Sequence, residues 1–184
     1  MPKRSEAHLE SRREQILDGA RRAFSRYGYE GATVVKLEQE IGLSRGAIFN
    51  YFRSKWDIFY ALAQEDQERV VRIMLEGGFG AVLRVMADEA PDWLGVHFEL
   101  IGILRTNPEM RDEWAERTPG LNRELTERFA EMQRRGELRR DISVDALLTF
   151  LGLVLDGVVV QVTAGYPVET DPVLKLVSAA ISPQ

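Results

Sequence analysis

The chain has 184 residues, 45% hydrophobic and 29% charged, a composition typical of a soluble globular protein of one domain, or of a small domain joined to a larger one. It contains no cysteine, which excludes disulfides, thiolate metal sites and cysteine nucleophiles. The net charge is −5, but residues 1–60 carry a net +3 and residues 61–184 a net −8. A basic segment joined to an acidic one is typical of a nucleic-acid-binding module attached to a second module.

The first helix is predicted from apolar spacing. Residues 1–10 are polar and lack the apolar run of a signal peptide, so we expect a flexible tail and a cytoplasmic protein. Apolar residues then recur at steps of three and four from Ile16 to Tyr27. This pattern predicts a helix that begins near Ser11 and ends at Gly28.

Two short helices joined by a tight turn come next. Thr33 is a good N-cap for a helix over residues 34–41, and Ser44 is a good N-cap for a shorter helix over residues 45–51. Gly42 lies between them and tolerates the positive φ that such a turn needs. Two short helices crossing through a tight turn form a helix-turn-helix, whose second helix enters the major groove of DNA.

Inward and outward faces of this motif have different chemistry. Leu37, Ile41 and Ile48 are spaced to face inward and to hold the crossing angle. Arg45 can donate to guanine O6 and N7, and Asn50 can bind adenine or a phosphate. The small residues Gly46 and Ala47 allow close approach to the groove, and the side chains suited to phosphate contact are Thr33, Lys36, Tyr51 and Lys55. A plain helical bundle, in which these are surface or packing residues, is the alternative interpretation.

The pattern of the remaining sequence predicts further helices and no strands, so we expect an all-α fold. A long helix begins after Ser54 and ends at Gly77 and Gly78. Proline, glycine and asparagine then separate helices over residues 79–88, 93–105, 109–117, 121–135, 144–164 and 172–181.

One of these helices is apolar on nearly every side. Residues 146–160 are shorter than a membrane span and include Asp156, so they predict a buried helix and no membrane partner. A helix of this kind lies in the centre of a large core or against a partner. Because the chain is small, we favour homodimerisation through this helix and residues 172–181, which predicts a pseudo-palindromic DNA site.

Polar residues within apolar helices are the candidates for a ligand pocket. A charged group in an apolar setting needs a partner or a ligand. The alternatives are structural ion pairs of Arg105 or Arg128 with Glu99 or Asp156, and a packed His97 that binds no metal. The candidate ligand-binding residues are Trp93, His97, Glu99, Arg105, Trp114, Arg128 and Asp156.

Two sequence motifs, "AFSRYGYEGATV" and "GLSRGAIFNYFRSK", resemble the TetR family of bacterial repressors. The resemblance implies a three-helix DNA-binding domain over residues 11–55 and a helical ligand-binding and dimerisation domain over residues 56–184. It implies a homodimer that binds a double-stranded operator and releases it when a small molecule binds. Glu38 stands where the family usually has alanine. The positions that match DNA-contacting places are Thr33, Lys36, Ser44, Arg45, Gly46, Ala47, Asn50, Tyr51 and Lys55.

Three further segments, "RGAIF", "LRTNPEMRDEW" and "LLTFLGLVLDG", are similar to the aconitase repressor branch of that family. This closer resemblance implies citrate with a divalent cation as an effector, and no permanently bound cofactor. Arg128 and Arg105 would then hold carboxylates by bidentate pairing. The chain has Ser178 where the branch carries an acidic residue.

An enzyme and a protein-binding adaptor are the competing classes. The chain has two histidines, His8 and His97, and lacks a phosphate-binding glycine loop and an HExxH motif. An adaptor would not need the cluster from Ser44 to Lys55. The sequence therefore predicts a ligand-responsive DNA-binding regulator that is not an enzyme.

Overall fold

The computed structural model describes residues 6–88, 92–117 and 121–183, and every regular element in them is an α-helix, as the sequence predicts. The helices are α1 (Glu6–Gly31), α2 (Val34–Ile41), α3 (Arg45–Phe49), α4 (Lys55–Asp88), α5 (Asp92–Thr106), α6 (Pro108–Arg117), α7 (Leu121–Arg135), α8 (Val144–Thr163) and α9 (Thr170–Ile181).

Two compact units divide the chain. The first consists of Met1–Asp66 and Gly95–Trp114, and the second of Gln67–Leu94 and Ala115–Gln184. The first unit thus holds the helix-turn-helix together with most of α5 and all but the end of α6. The predicted division at residue 55 rested on motif spacing, which carries no information on these later helices.

Helix α1 is longer than the sequence predicts. It begins at Glu6, so residues 6–10 are helical, whereas the predicted tail over residues 1–5 lies outside the described residues. Gly28 breaks the helix with φ 68° and ψ 170°, a conformation open to glycine, but three more helical residues follow.

An aromatic core holds the first unit together. Phe24 and Phe59 are almost completely buried and meet edge to face, with ring centres 5.2 Å apart. Tyr29 lies 5.0 Å from Phe59, and Trp56 lies 5.9 Å from Phe59. Such pairs add to the free energy of burial through the quadrupoles of the rings. The core therefore joins α1 to α4 next to the break at Gly28.

A close approach of two backbones fixes α1 against α2. A Cβ on Gly19 would lie 2.5 Å from Ile41 Cα and 2.9 Å from the Glu40 carbonyl oxygen. Gln15 Nε2 also donates to the Ile41 carbonyl at 3.1 Å. A side chain larger than hydrogen at residue 19 would push the two helices apart.

The second unit contains the later part of α4 together with α7, α8 and α9. Gly78 breaks α4 with φ 72°, near the predicted end of that helix, although helical residues lie on both sides of it. The buried side chains of this unit are Met74, Phe79, Val82, Leu83, Met86, Phe129, Leu138, Leu147, Leu151, Leu155, Val158, Val159 and Val177.

Helix α8 is less buried than the sequence predicts for an internal helix. It is long and apolar enough to cross a membrane by length and composition, and 28% of its most apolar stretch is buried within the chain. Leu151 and Val159 are buried, whereas Leu153 is 67% exposed and Val160 49% exposed. One face of α8 thus packs inside the second unit and another remains on its surface.

Candidate nucleic-acid interface and effector cavity

Helix α2 has both ends capped as the sequence predicts. The Thr33 hydroxyl accepts a hydrogen bond from the backbone N–H of Lys36 at 3.4 Å. Gly42 closes the helix at φ 76°, and its N–H donates to the Glu38 carbonyl at 2.9 Å. These two caps define the ends of α2 and the direction of the turn into α3.

Two acceptors, rather than one, cap the start of α3. Ser44 Oγ accepts from the backbone N–H of Ala47 at 3.4 Å, as its N-cap position predicts. Glu38 Oε1 accepts from the backbone N–H of Arg45 at 2.6 Å. The glutamate that departs from the family pattern therefore fixes α3 from the preceding helix. Helix α3 ends at Phe49, two residues earlier than predicted, and Asn50 is its C-cap.

The inward residues of α2 and α3 and three of the five outward residues lie as predicted, whereas Ala47 and Tyr51 are half-buried. Leu37 and Ile48 are completely buried and Ile41 is nearly so. Arg45, Gly46 and Asn50 are exposed. A Cβ on Gly46 would meet nothing within 4 Å, apart from its own helix, so the surface of α3 is open at this position.

Two predicted phosphate-binding lysines also hold the connector before α2. Lys36 Nζ donates to the Gly31 carbonyl at 3.0 Å and lies 4.1 Å from the centre of the Tyr27 ring. Lys55 Nζ donates to the Tyr29 carbonyl at 2.7 Å and lies 4.1 Å from the centre of the Tyr29 ring. Burial lowers the pKa of Lys55, with Glu30 acting weakly in the opposite direction.

A shallow depression lies beside the end of α3. Its volume is about 350 Å³, and Leu9, Glu10, Arg13, Asn50 and Tyr51 line it. The Tyr51 hydroxyl is buried and has no hydrogen-bond partner in the described part of the chain. The sequence did not single out Arg13 as a site residue, because one arginine among five on α1 carries no distinguishing signal.

Four of the predicted ligand residues lie in the first unit. The Glu99 carboxylate accepts from the backbone N–H of Tyr29 at 2.9 Å. The Trp114 ring lies 5.2 Å from the Tyr60 ring, and His97 is half-buried beside Phe98. Arg105 is exposed. The side chain of the fifth, Trp93, lies outside the described residues.

The second unit holds Trp93 and the other two predicted ligand residues, Arg128 and Asp156, together with a cavity. Arg128 lines this cavity, and Asp156 is on an exposed part of α8. The cavity has a volume of about 240 Å³. Arg128 and Glu76 are its charged residues, and the rest of the lining is Met74, Leu75, Gly78, Phe79, Leu125, Phe129, Met132, Leu138, Leu151 and Ile181. Of the predicted ligand residues with described side chains, only Arg128 belongs to this lining.

Comparison with known proteins agrees with this architecture. Residues 16–62 match the family of bacterial regulatory proteins of the tetR type, and residues 72–183 match the C-terminal part of BetI-type transcriptional repressors. The chain belongs to the TetR family. The family predicted from the helix-turn-helix motifs is therefore confirmed, and the match extends over most of the chain.

Full-length relatives within the TetR family are repressors. The HTH-type transcriptional repressor Rv1474c of Mycobacterium tuberculosis is 44% identical over 98% of both chains. The HTH-type transcriptional repressor AcnR of Corynebacterium diphtheriae is 40% identical over 98% of this chain and 97% of its own. This TetR-family chain is accordingly a DNA-binding transcriptional repressor.

Solved structures show the same fold at lower identity. GusR of Salmonella enterica superposes with a TM-score of 0.72 at 22% identity, covering 86% of this chain and 85% of GusR. The fatty acid degradation regulator FadR of Bacillus halodurans superposes with a TM-score of 0.72 at 22% identity, covering 97% and 95%. The all-α fold with an N-terminal helix-turn-helix is thus the TetR fold.

Proposed function

We propose that the protein represses transcription as a homodimer that binds a pseudo-palindromic operator and leaves it when a small molecule binds the second unit. The observation that carries the DNA-binding part is the surface of α3. Arg45, Gly46 and Asn50 are exposed while Leu37 and Ile48 are completely buried, so α3 is held rigidly with its polar face available to a groove.

Seven of the nine predicted DNA-contacting residues contribute a polar group in this proposal, and the other two, Gly46 and Ala47, allow close approach to the groove. Arg45 donates to guanine O6 and N7, and Asn50 binds adenine or a phosphate. Lys36 and Lys55 each donate one ammonium hydrogen to a backbone carbonyl. The remaining hydrogens of each ammonium group contact phosphates. Thr33 and Ser44 are the N-caps of α2 and α3, where backbone N–H groups also favour phosphate, and Tyr51 follows the C-cap of α3 and offers its hydroxyl.

A second copy of the chain is the proposed partner of α8 and α9. Leu153 on α8 is 67% exposed and Leu176 on α9 is 73% exposed. Leucines exposed to this degree on two successive helices are of the kind that obligate dimers cover. Two-fold pairing would present two copies of α3 to successive major grooves. The protein would then act in the cytoplasm, where its operator is, with α8 covered by protein and not by lipid.

The cavity beside Arg128 is the proposed effector site. A guanidinium pairs with a carboxylate through two parallel hydrogen bonds, and Arg128 is exposed, so a ligand can reach it from solvent. The lining fits an organic acid, and we propose citrate as the first to test. Glu76 is the carboxylate of this lining that would help to hold a divalent cation bound with it.

The test of DNA binding is fluorescence anisotropy with DNA from upstream of the protein's own gene. Arg45→Ala should weaken operator binding by about 1–3 kcal/mol and relax specificity, whereas Lys55→Ala should weaken all sequences alike. Affinity should fall steeply with salt because phosphate contacts release counterions. A chain that bound protein partners but showed no salt-sensitive binding to DNA would instead be an adaptor.

The tests of the dimer and the effector are independent of each other. Light scattering at micromolar concentration should give twice the mass of one chain, and a clean monomer would contradict the dimer. Citrate with magnesium should raise the melting temperature of the wild type and not that of Arg128→Ala. Equal shifts in both, or none in either, would remove citrate from the proposal and leave DNA binding untouched.

A further inference from the structure

We infer that Glu99 is a positioning residue for DNA binding. Its carboxylate comes from α5, outside the segment that carries the helix-turn-helix motif, and holds the peptide of Tyr29 just before the connector to α2. The DNA-binding unit is therefore completed by a helix that lies 70 residues away in sequence.

The break at Gly28 creates the need for such a residue. With φ 68° and ψ 170°, Gly28 leaves the helical path, and the backbone N–H of the next residue, Tyr29, donates at 2.9 Å to Glu99 Oε2. A buried N–H without an acceptor costs about as much as a lost hydrogen bond. Glu99 Oε1 also lies 3.1 Å from the place where a Cβ on residue 28 would be, so the carboxylate uses the space that glycine leaves.

Lys55 bonds to the carbonyl group of the same residue, Tyr29. Lys55 Nζ donates to the Tyr29 carbonyl at 2.7 Å, so Tyr29 is bonded to α5 through its N–H and to α4 through its C=O. We call Glu99, Tyr29 and Lys55 the peptide clamp. The Tyr29 ring packs in the aromatic core, so the clamp and the core fix both the backbone and the side chain of one residue.

The clamp controls the start of α2. Three residues separate Tyr29 from Thr33, whose hydroxyl caps α2. In this short segment Ala32 N–H donates to the Gly28 carbonyl at 3.0 Å, and Thr33 N–H donates to the Gly31 carbonyl at 3.0 Å. A displaced Tyr29 peptide therefore moves Thr33 and Lys36, which face phosphates in the proposed complex. The hydrophobic core of α2 and α3 does not include Glu99, so the fold should survive its loss.

A matched pair of variants tests the clamp. Glu99→Ala removes an acceptor from the Tyr29 N–H, and Glu113→Ala removes an acceptor from the Trp56 Nε1–H, which Glu113 accepts at 2.9 Å within the same unit. Both leave one N–H without its partner, but only the first touches the connector. Glu99→Gln keeps an oxygen acceptor and should restore most of the function.

We expect Glu99→Ala to bind the operator about tenfold more weakly, because the connector must be returned to its position on binding, and with a salt dependence close to that of the wild type, because the phosphate-contacting side chains remain. Glu113→Ala should stay within about twofold of the wild type, even if its melting temperature falls as far. Operator affinity of Glu99→Ala within twofold of the wild type, equal losses in the two alanine variants, or no rescue by glutamine would each overturn the inference.

A second measurement needs no DNA, so it separates this inference from the proposed function. In the full-length wild type, hydrogen–deuterium exchange should show protection in peptides covering residues 24–33. Glu99→Ala should exchange faster in that segment and Glu113→Ala should not. Unchanged exchange in Glu99→Ala would contradict the clamp whether or not an operator is found.

Discussion

The helix-turn-helix and the pair of helices α8 and α9 differ in where their apolar side chains lie. Leu37 and Ile48 are completely buried within one chain, whereas Leu153 and Leu176 are mostly exposed. The first region is complete in a single copy, because its core, caps and clamp all come from the same unit. The second presents an apolar surface that the proposed dimer would cover. This TetR-family chain thus completes its proposed DNA-binding surface within one copy and leaves apolar side chains of α8 and α9 exposed.

The largest expected effect comes from a substitution in the aromatic core of the first unit. Phe59→Ala should lower the free energy of unfolding by about 3–5 kcal/mol, because a completely buried ring is lost from the aromatic cluster. Phe150→Ala on α8, which is 37% exposed in one chain, is the comparison. Urea unfolding at several protein concentrations should show that Phe59→Ala lowers the free energy of unfolding by the same amount at every concentration. The effect of Phe150→Ala should change with concentration. If neither loss of unfolding free energy depended on protein concentration, the proposed difference between the two regions would be wrong.

The second prediction concerns the open surface. Leu153→Glu combined with Leu176→Glu should give monomers by light scattering and weaken operator binding by roughly 100-fold or more, since one chain contacts a single half-site. Leu9→Glu, at an exposed leucine of α1, should leave the mass unchanged. A double variant that remained dimeric would place the interface elsewhere.

A smaller effect comes from the tyrosine of the clamp. Burial raises the pKa of Tyr29 to about 12, with Glu30 adding to the shift. Because the folded value is above the ordinary value of 10, the protonated phenol stabilises the fold below pH 10, and this stabilisation is lost as the pH rises towards 12. Urea unfolding at pH 9 and 11.5 should show a larger loss in the wild type than in Tyr29→Phe, by roughly 1–2 kcal/mol. Tyr166→Phe, at a largely exposed tyrosine, should behave as the wild type does.

The smallest prediction tests the second cap of α3. Glu38→Ala should lower the free energy of unfolding by about 1 kcal/mol, since the backbone N–H of Arg45 loses its acceptor. Glu38→Gln keeps the acceptor and removes a negative charge beside the proposed DNA surface, so it should bind the operator at least as tightly as the wild type. Gln39→Ala, at the exposed neighbour, is the control for both measurements. A stable Glu38→Ala would show that Ser44 alone caps α3.

Local features of the site could be predicted from the sequence. Thr33, Ser44 and Gly42 cap and terminate α2 and α3 through contacts within a few residues, and such short-range chemistry is visible in the residue types. The burial of Leu37 and Ile48 follows from their spacing.

Long-range features could not be predicted in the same way. Glu99 was grouped with ligand residues because it is charged within an apolar helix, and its contact with Tyr29 depends on the path of the chain between them. Glu38 was recognised as a departure, but its bond to the Arg45 N–H depends on the crossing of two helices. Similarly, the cavity beside Arg128 collects side chains from α4, α7, α8 and α9, and no single segment carries a signal for it.

The absence of a side chain at Gly19 has a genetic consequence. A methyl group there would collide with the backbone of Ile41 and displace α2, but it would leave α8 and α9 unchanged. Chains with Gly19→Ala should therefore still pair with normal chains while contributing no working half to the complex. In a cell that expresses both alleles equally, about three quarters of the proposed dimers would contain at least one variant chain by random pairing, so we expect the mutation to be dominant over the wild-type gene.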